Sequence, residues 1–101
     1  MDKELKAKWV EALRSGEYEQ ADGVLKCDTG YCCLGVLREV AGPDSMREDD
    51  HELLLHREDA DRIGIDYAMQ KRLSHMNDGW QKGEIRKHSF AEIADYIEAN
   101  L

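Results

Sequence analysis

The sequence is poor in several things at once. Pro43 is the only proline among 101 residues, and Phe90 the only phenylalanine. No apolar stretch approaches the roughly 20 residues that a membrane-spanning helix requires. The N-terminus, MDKELKAKWV, is charged and amphipathic, unlike a secretory signal. Cysteine is scarce and odd in number, with three residues. An odd count without a secretion signal favours reduced thiols over a disulfide framework, so the expected compartment is a reducing cytoplasm. Basic residues are the minority, with 14 Lys and Arg against 22 Asp and Glu, a net charge of −8. That balance argues against direct contact with phosphate backbones. There is no internal repeat. The stretch GVLKCDTG lacks the GK[ST] ending of a phosphate-binding loop.

What is present is a chain of single-domain size, 42% hydrophobic and 36% charged. Such a chain can bury a modest core without covalent staples. Leu5, Trp9, Ala12 and Leu13 recur at helical spacing and predict a helix over 2–14, stopped by Ser15-Gly16. Residues 17–30 lose that period. Within them GVLKC reads as a short strand between turn signals. Residues 31–41 predict a second helix ended by Gly42-Pro43. The stretch 44–62 holds eight acids against three arginines, and its ELLLH segment is a candidate second strand. Asp66 predicts the cap of a helix over 67–77, with Met69, Leu73 and Met76 on its apolar face. NDGWQKGEIRK reads as a loop. SFAE predicts a capping box at Ser89, opening a helix with Phe90, Ile93, Ala94 and Ile97 on one stripe. The expected fold is a mainly helical α+β domain, about four helices around the YCCLGVL helix, with room for a small β-hairpin.

The adjacent cysteines pose the first chemical question. On a regular helix Cys33, Leu37 and Val40 share one side, so Cys33 points into the core as a small hydrophobe. Cys32 is rotated to the edge of the first turn, where the helix dipole lowers a thiol pKa. If any thiol reacts, the expectation is Cys32. The four histidines show no spacing that would pair a base with it. For metal, Cys27-x4-Cys32 with His51-x4-His56 looks superficially like a four-ligand zinc set, but the 18 residues between Cys32 and His51 include a helix, and HELLLH has one residue more than the HExxH pair. DADRIGIDYAMQ places Asp59, Asp61 and Gly64 like a calcium loop, but Ile63 and Gln70 stand where carboxylates are needed. No metal and no cofactor are therefore expected.

Two sets of polar residues remain. Arg14, Tyr18, Gln20, Tyr31, Cys32, Asn77 and Asp78 gather around turns. An arginine with aromatic hydroxyls can clasp a planar anion such as a nucleotide. Against this stands a structural alternative, in which Arg14 and Asn77-Asp78 serve helix ends. Glu48, Asp49, Asp50 and Glu52, with Trp80 as an apolar anchor, form the second set, suited to a basic protein surface.

The segments KWVEALRSGEYEQADGVL, YCCLGVL, IGIDYAMQKRLSHMND and SFAEIADYIEANL resemble a family of small, uncharacterised phage and prophage proteins. The resemblance runs over most of the chain. Departures are Ile65-Asp66 where similar proteins have Leu-Thr, Met76 before Asn77-Asp78, and the acidic insert around 44–58. The resemblance implies a phage-like origin and expression inside a bacterial host, and it brings no activity with it. Three readings follow. The first is a non-enzymatic protein that binds a bacterial host factor, in a counter-defence or host-takeover role. The second is a protein that sequesters a small anionic ligand. The third is an enzyme using the Cys32 thiol. None involves direct nucleic-acid or membrane contact, and a homo-oligomer is compatible with each.

Overall fold

A computed structural model of the chain describes residues 1–42, 53–79 and 85–101. Helix α1 spans Lys3–Ser15. Asp2 caps it by accepting the Leu5 N–H at 2.9 Å, and Gly16 ends it in the left-handed region at φ 79°. Two short strands follow, β1 Lys26–Cys27 and β2 Gly30–Tyr31, paired antiparallel with Lys26 opposite Tyr31 and Cys27 opposite Gly30. Helix α2 spans Cys33–Ala41, α3 Arg57–Ile63, α4 Tyr67–Asp78 and α5 Phe90–Asn100. The fold is α+β and mainly helical.

Helix α2 is the centre. Cys33, Leu34, Val36 and Leu37 are fully buried, and α1 and α4 pack against it. Helix α5 closes the other side by packing on α1 and, less extensively, on α4. Trp9 of α1 is also fully buried, and its indole N–H donates to the Cys33 carbonyl at 2.9 Å. Backbone meets backbone on one side of α2. A Cβ on Gly35 would lie 1.8 Å from the Leu25 carbonyl oxygen. Only glycine lets the 17–32 loop settle there. The same carbonyl accepts the Cys32 N–H at 3.2 Å.

Four expectations about the elements change. The central helix starts at Cys33 rather than residue 31, because Tyr31 is drawn into β2. The partner of the GVLKC strand is Gly30–Tyr31, not ELLLH. A two-residue connection, Asp28-Thr29, closes that hairpin locally, and short loops close at lower entropic cost. Leu53 to Leu55 form no strand, since the Leu55 N–H donates instead to the side-chain oxygen of buried Gln70 at 3.0 Å. Finally α3 makes five helices among the described residues where about four were expected. It places Asp59 and Asp61 on a regular helix, which a calcium loop could not adopt. Among the described residues, no helix is long and apolar enough to cross a membrane.

The last two caps form where the sequence placed them. Asp66 accepts the Met69 N–H at 2.7 Å. Ser89 accepts from the Glu92 N–H, and Glu92 accepts from the Ser89 N–H, completing the capping box. Arg86 also pairs with the Glu92 carboxylate. The Arg86 hydrogen bond, followed by the Ser89 amide, holds Glu92 well below its ordinary value, at about 2. Unfolding frees this carboxylate to titrate near its ordinary value of 4.5. Its contribution to stability is therefore complete above that value and is lost as the pH falls toward 2. Urea midpoints should thus fall more steeply across this window for the natural chain than for Glu92→Gln. Parallel curves would remove Glu92 from the acid response.

Candidate functional site

The polar residues expected at one corner separate into three places. Arg14 turns to α5. Its guanidinium donates to Asp95 Oδ1 at 2.6 Å and Glu98 Oε2 at 3.1 Å, and these bonds raise its pKa. An open groove of about 750 Å³ runs along α1 beside it, with Ala7 and Val10 between Lys3, Lys6 and Arg14. The Lys6 ammonium donates to the Glu98 carbonyl at 3.2 Å, and Glu11 and Glu98 share the lining. Two of the three cations there are thus already engaged. The expectation that Arg14 joins Tyr18 and Gln20 around an anion is corrected, because two carboxylates of α5 claim its donors first.

Tyr18 and Tyr31 form the second place. Their rings meet edge to face at 5.2 Å between centroids. The Lys26 ammonium lies 5.6 Å from the Tyr31 centroid. Burial first, then the charge of Glu39, raises the Tyr18 pKa. Both backbone groups of Tyr31 are taken, its N–H donating to the Glu19 carbonyl and its carbonyl accepting from Ala21, each at 2.8 Å.

The third place is the junction at Asn77, which is fully buried. Its amide N–H₂ donates to the Ala21 carbonyl and to Asp78 Oδ1, both at 2.8 Å. Its carbonyl oxygen accepts the Cys33 N–H and the Gln20 side-chain N–H, both at 3.2 Å. These four bonds use its full capacity of two donors and two lone pairs. Gln20 also donates to the His88 carbonyl at 2.8 Å. Cys32 is the N-cap of α2 and makes no side-chain capping bond. Asn77 supplies one from another helix, by accepting the first amide of α2. Gln20, Asn77 and Asp78 are therefore brought together as expected, but as an internal bracket rather than a ligand clasp.

The thiols reverse their expected ranking. Cys33 is fully buried, as the helical spacing implied, and its S–H donates to the Leu73 carbonyl at 3.6 Å. Cys32 is only 4% exposed. The Gly35 and Leu34 amides do lower its pKa, as a helix start should, but burial outweighs them and pushes it up to about 11. The expectation of a reactive Cys32 is corrected on that ground. Cys27 is the exposed thiol, and the Thr29 hydroxyl, 3.2 Å from its sulfur, lowers its pKa. Among the described residues, no group of three His, Cys, Asp or Glu side chains is placed to hold a metal ion. His51, the fourth residue of the zinc set, lies outside the described residues, as do Glu48, Asp49, Asp50, Glu52 and Trp80.

One surface feature was not anticipated. A recess of about 520 Å³ lies between the segment after residue 53, α3 and the start of α4, with Leu54, Leu55, Ala60, Ile65 and Tyr67 as its apolar lining. Tyr67 is 65% exposed and the nearby Leu53 53% exposed. They are the exposed large hydrophobic residues among those described. Tyr67 was legible in principle, since it lies about 180° around the helix from the core residue Met76.

Residues 1–58, more than half of the chain, match the model of a domain of unknown function, DUF8296. The chain belongs to that family. The matched part carries α1, the hairpin, α2 and most of the acidic stretch, and it stops two residues into α3. Asn77, which holds the hairpin loop and α2 together, comes from outside it. No curated protein and no solved structure matches the chain.

Two outcomes test this geometry. Asn77→Ala takes from the Cys33 N–H and the Ala21 carbonyl the bonds that Asn77 makes with them, and from the Gln20 amide one of its two. It should cost about 3 kcal/mol in urea unfolding, at the upper end for an orphaned buried group. Iodoacetamide should modify Cys27 in the native protein, with Cys32 and Cys33 reacting only on unfolding, as read by intact-mass and peptide mass spectrometry. Native modification of Cys32 at a rate like that of Cys27 would contradict its burial.

Proposed function

We propose that this is a small acidic, non-enzymatic binding protein of phage-like origin. It acts in the cytoplasm of a bacterial host by occupying a basic surface of a host protein, in a counter-defence or host-takeover role. The observation that carries the reading is the saturation of the interior polar junction. Asn77 has no unused hydrogen-bonding capacity, Cys32 is buried and protonated, and Arg14 is engaged with α5. Arg14, Gln20, Cys32 and Asn77, which would have served a thiol enzyme or an anion clasp, are bonded or buried within the fold.

The excess of negative charge is left to meet a partner. Half of the net charge of −8 falls within residues 44–52, where Asp44, Glu48, Asp49, Asp50 and Glu52 face only Arg47 in the sequence. A concentrated acidic run steers a basic partner over about a Debye length, roughly 10 Å at 0.1 M salt. Direct nucleic-acid contact is disfavoured by the same charge.

The reading is tested by affinity capture from a bacterial lysate, with native mass spectrometry of the eluate. A single basic host protein should co-elute. Its affinity should fall about fivefold in the Asp49→Asn, Asp50→Asn double variant, as two interface-rim charges typically give. It should weaken steeply as salt rises to about 0.3 M. Salt-indifferent capture would refute the electrostatic reading. A retained nucleotide with no protein partner would move the function to ligand sequestration.

A further inference from the structure

Helix α3 is attached to the fold differently from the other helices. Among the described residues, α1, α2, α4 and α5 pack on one another, and α3 packs closely on none of them. Of its seven residues Asp59 and Ala60 are buried, whereas α2 buries six of nine. Ala60 brings the core a single methyl group. Asp59 pairs with Arg62 of the same helix at 3.0 Å, a bond that travels with α3 and does not tie it to the body of the fold. The recess of about 520 Å³ lies between α3, the residues just before it and the start of α4. Faces separated by such a gap forgo the close contacts that hold the other helices together.

Two connections hold this stretch in place. The N–H of buried Leu55 donates to Gln70 Oε1 at 3.0 Å. Gln70 stands on α4 and is itself buried, so this bond joins the stretch to the body. The Ile65 N–H donates to the Ala60 carbonyl at 3.1 Å across Gly64, which ends α3 at φ 84°. Glycine changes its backbone conformation there with no side chain to obstruct it. A helix of seven residues is too short to persist in water without packing. Release of α3 and its melting are therefore one event.

We propose that residues 53–63 are a strap that releases from the body of α1, α2, α4 and α5 as one unit, latched by the Gln70–Leu55 hydrogen bond and pivoting at Gly64. Closed, the strap keeps Leu55, Ala60 and the Gln70 side of α4 from water. Open, it exposes them while the rest of the core stays packed. Elements that move in binding and regulation are drawn from such low-stability units. The opening is a property of the chain alone and needs no partner, so it stands apart from the capture of a host protein.

Native-state hydrogen exchange on the full chain, read amide by amide by NMR, tests the strap. The Leu55, Ala60, Gly64 and Ile65 amides should share one protection factor, at least about 100-fold below that of Val36 in α2. That shared value should change little in low urea, because release exposes little surface. Gln70→Ala removes the latch and should lower it about tenfold further, the effect of leaving one buried N–H without its acceptor. Ser89→Ala weakens only the body, through the α5 cap. It should lower the protection of Val36 about fivefold and leave the four strap amides unchanged. Strap amides as protected as Val36, or four unrelated values, overturn the proposal. So does a Gln70→Ala variant with unchanged strap exchange, or a Ser89→Ala variant in which strap and α2 fall together. If Gln70→Ala does not fold, the natural chain and Ser89→Ala decide.

Discussion

The Asn77 side-chain amide is the point on which the rest of the structure turns. It joins the loop before the hairpin, the first turn of α2 and the end of α4 through four hydrogen bonds in a site sealed from water. Apolar burial drives these segments together, but it is non-directional and does not dictate how they register. A buried amide does, because each bond it fails to make costs its desolvation. The junction also resolves the odd start of α2. Cysteine is a poor helix cap, and Cys32 caps nothing with its side chain. The missing acceptor arrives from α4, so α2 begins correctly only in the assembled fold.

The same close packing explains why the adjacent cysteines are buried. Gly35 admits the Leu25 carbonyl against α2, and that approach closes over the start of the helix. Two helix amides still favour the Cys32 thiolate, yet desolvation of a charged sulfur is the larger effect. Position in a helix sets the direction of one contribution to a pKa, and burial decides the sum. The exposed thiol belongs to Cys27, on a hairpin too short to have distinguished itself by hydrophobic pattern.

Local signals were read well where the chemistry is local. Asp66 and the Ser89-Glu92 box bond within four residues, so their partners are written beside them. The stripe in α5 and the burial of Cys33 follow from helical period alone. The failures share a cause. Helix α3 has only seven residues, with charge through most of them, so its apolar face is too short to register as a period. ELLLH looked like a strand because three leucines in a row carry no period of their own. Gln70, fifteen residues on, takes the Leu55 amide and settles the matter. The Arg14 corner failed for the same reason. Its carboxylate partners lie more than 80 residues away.

The sequence by itself determined the composition limits, the helix ends with neighbouring caps, the central place of YCCLGVL, and a charge that favours basic partners. Each depends on residues a few positions apart, or on totals. Only the tertiary structure decided which polar groups are occupied, which thiol is exposed, and that Tyr67 borders one apolar recess. Those outcomes depend on burial, and burial is created by segments distant in sequence coming into contact. No pattern along the chain encodes how much water is left at a given atom.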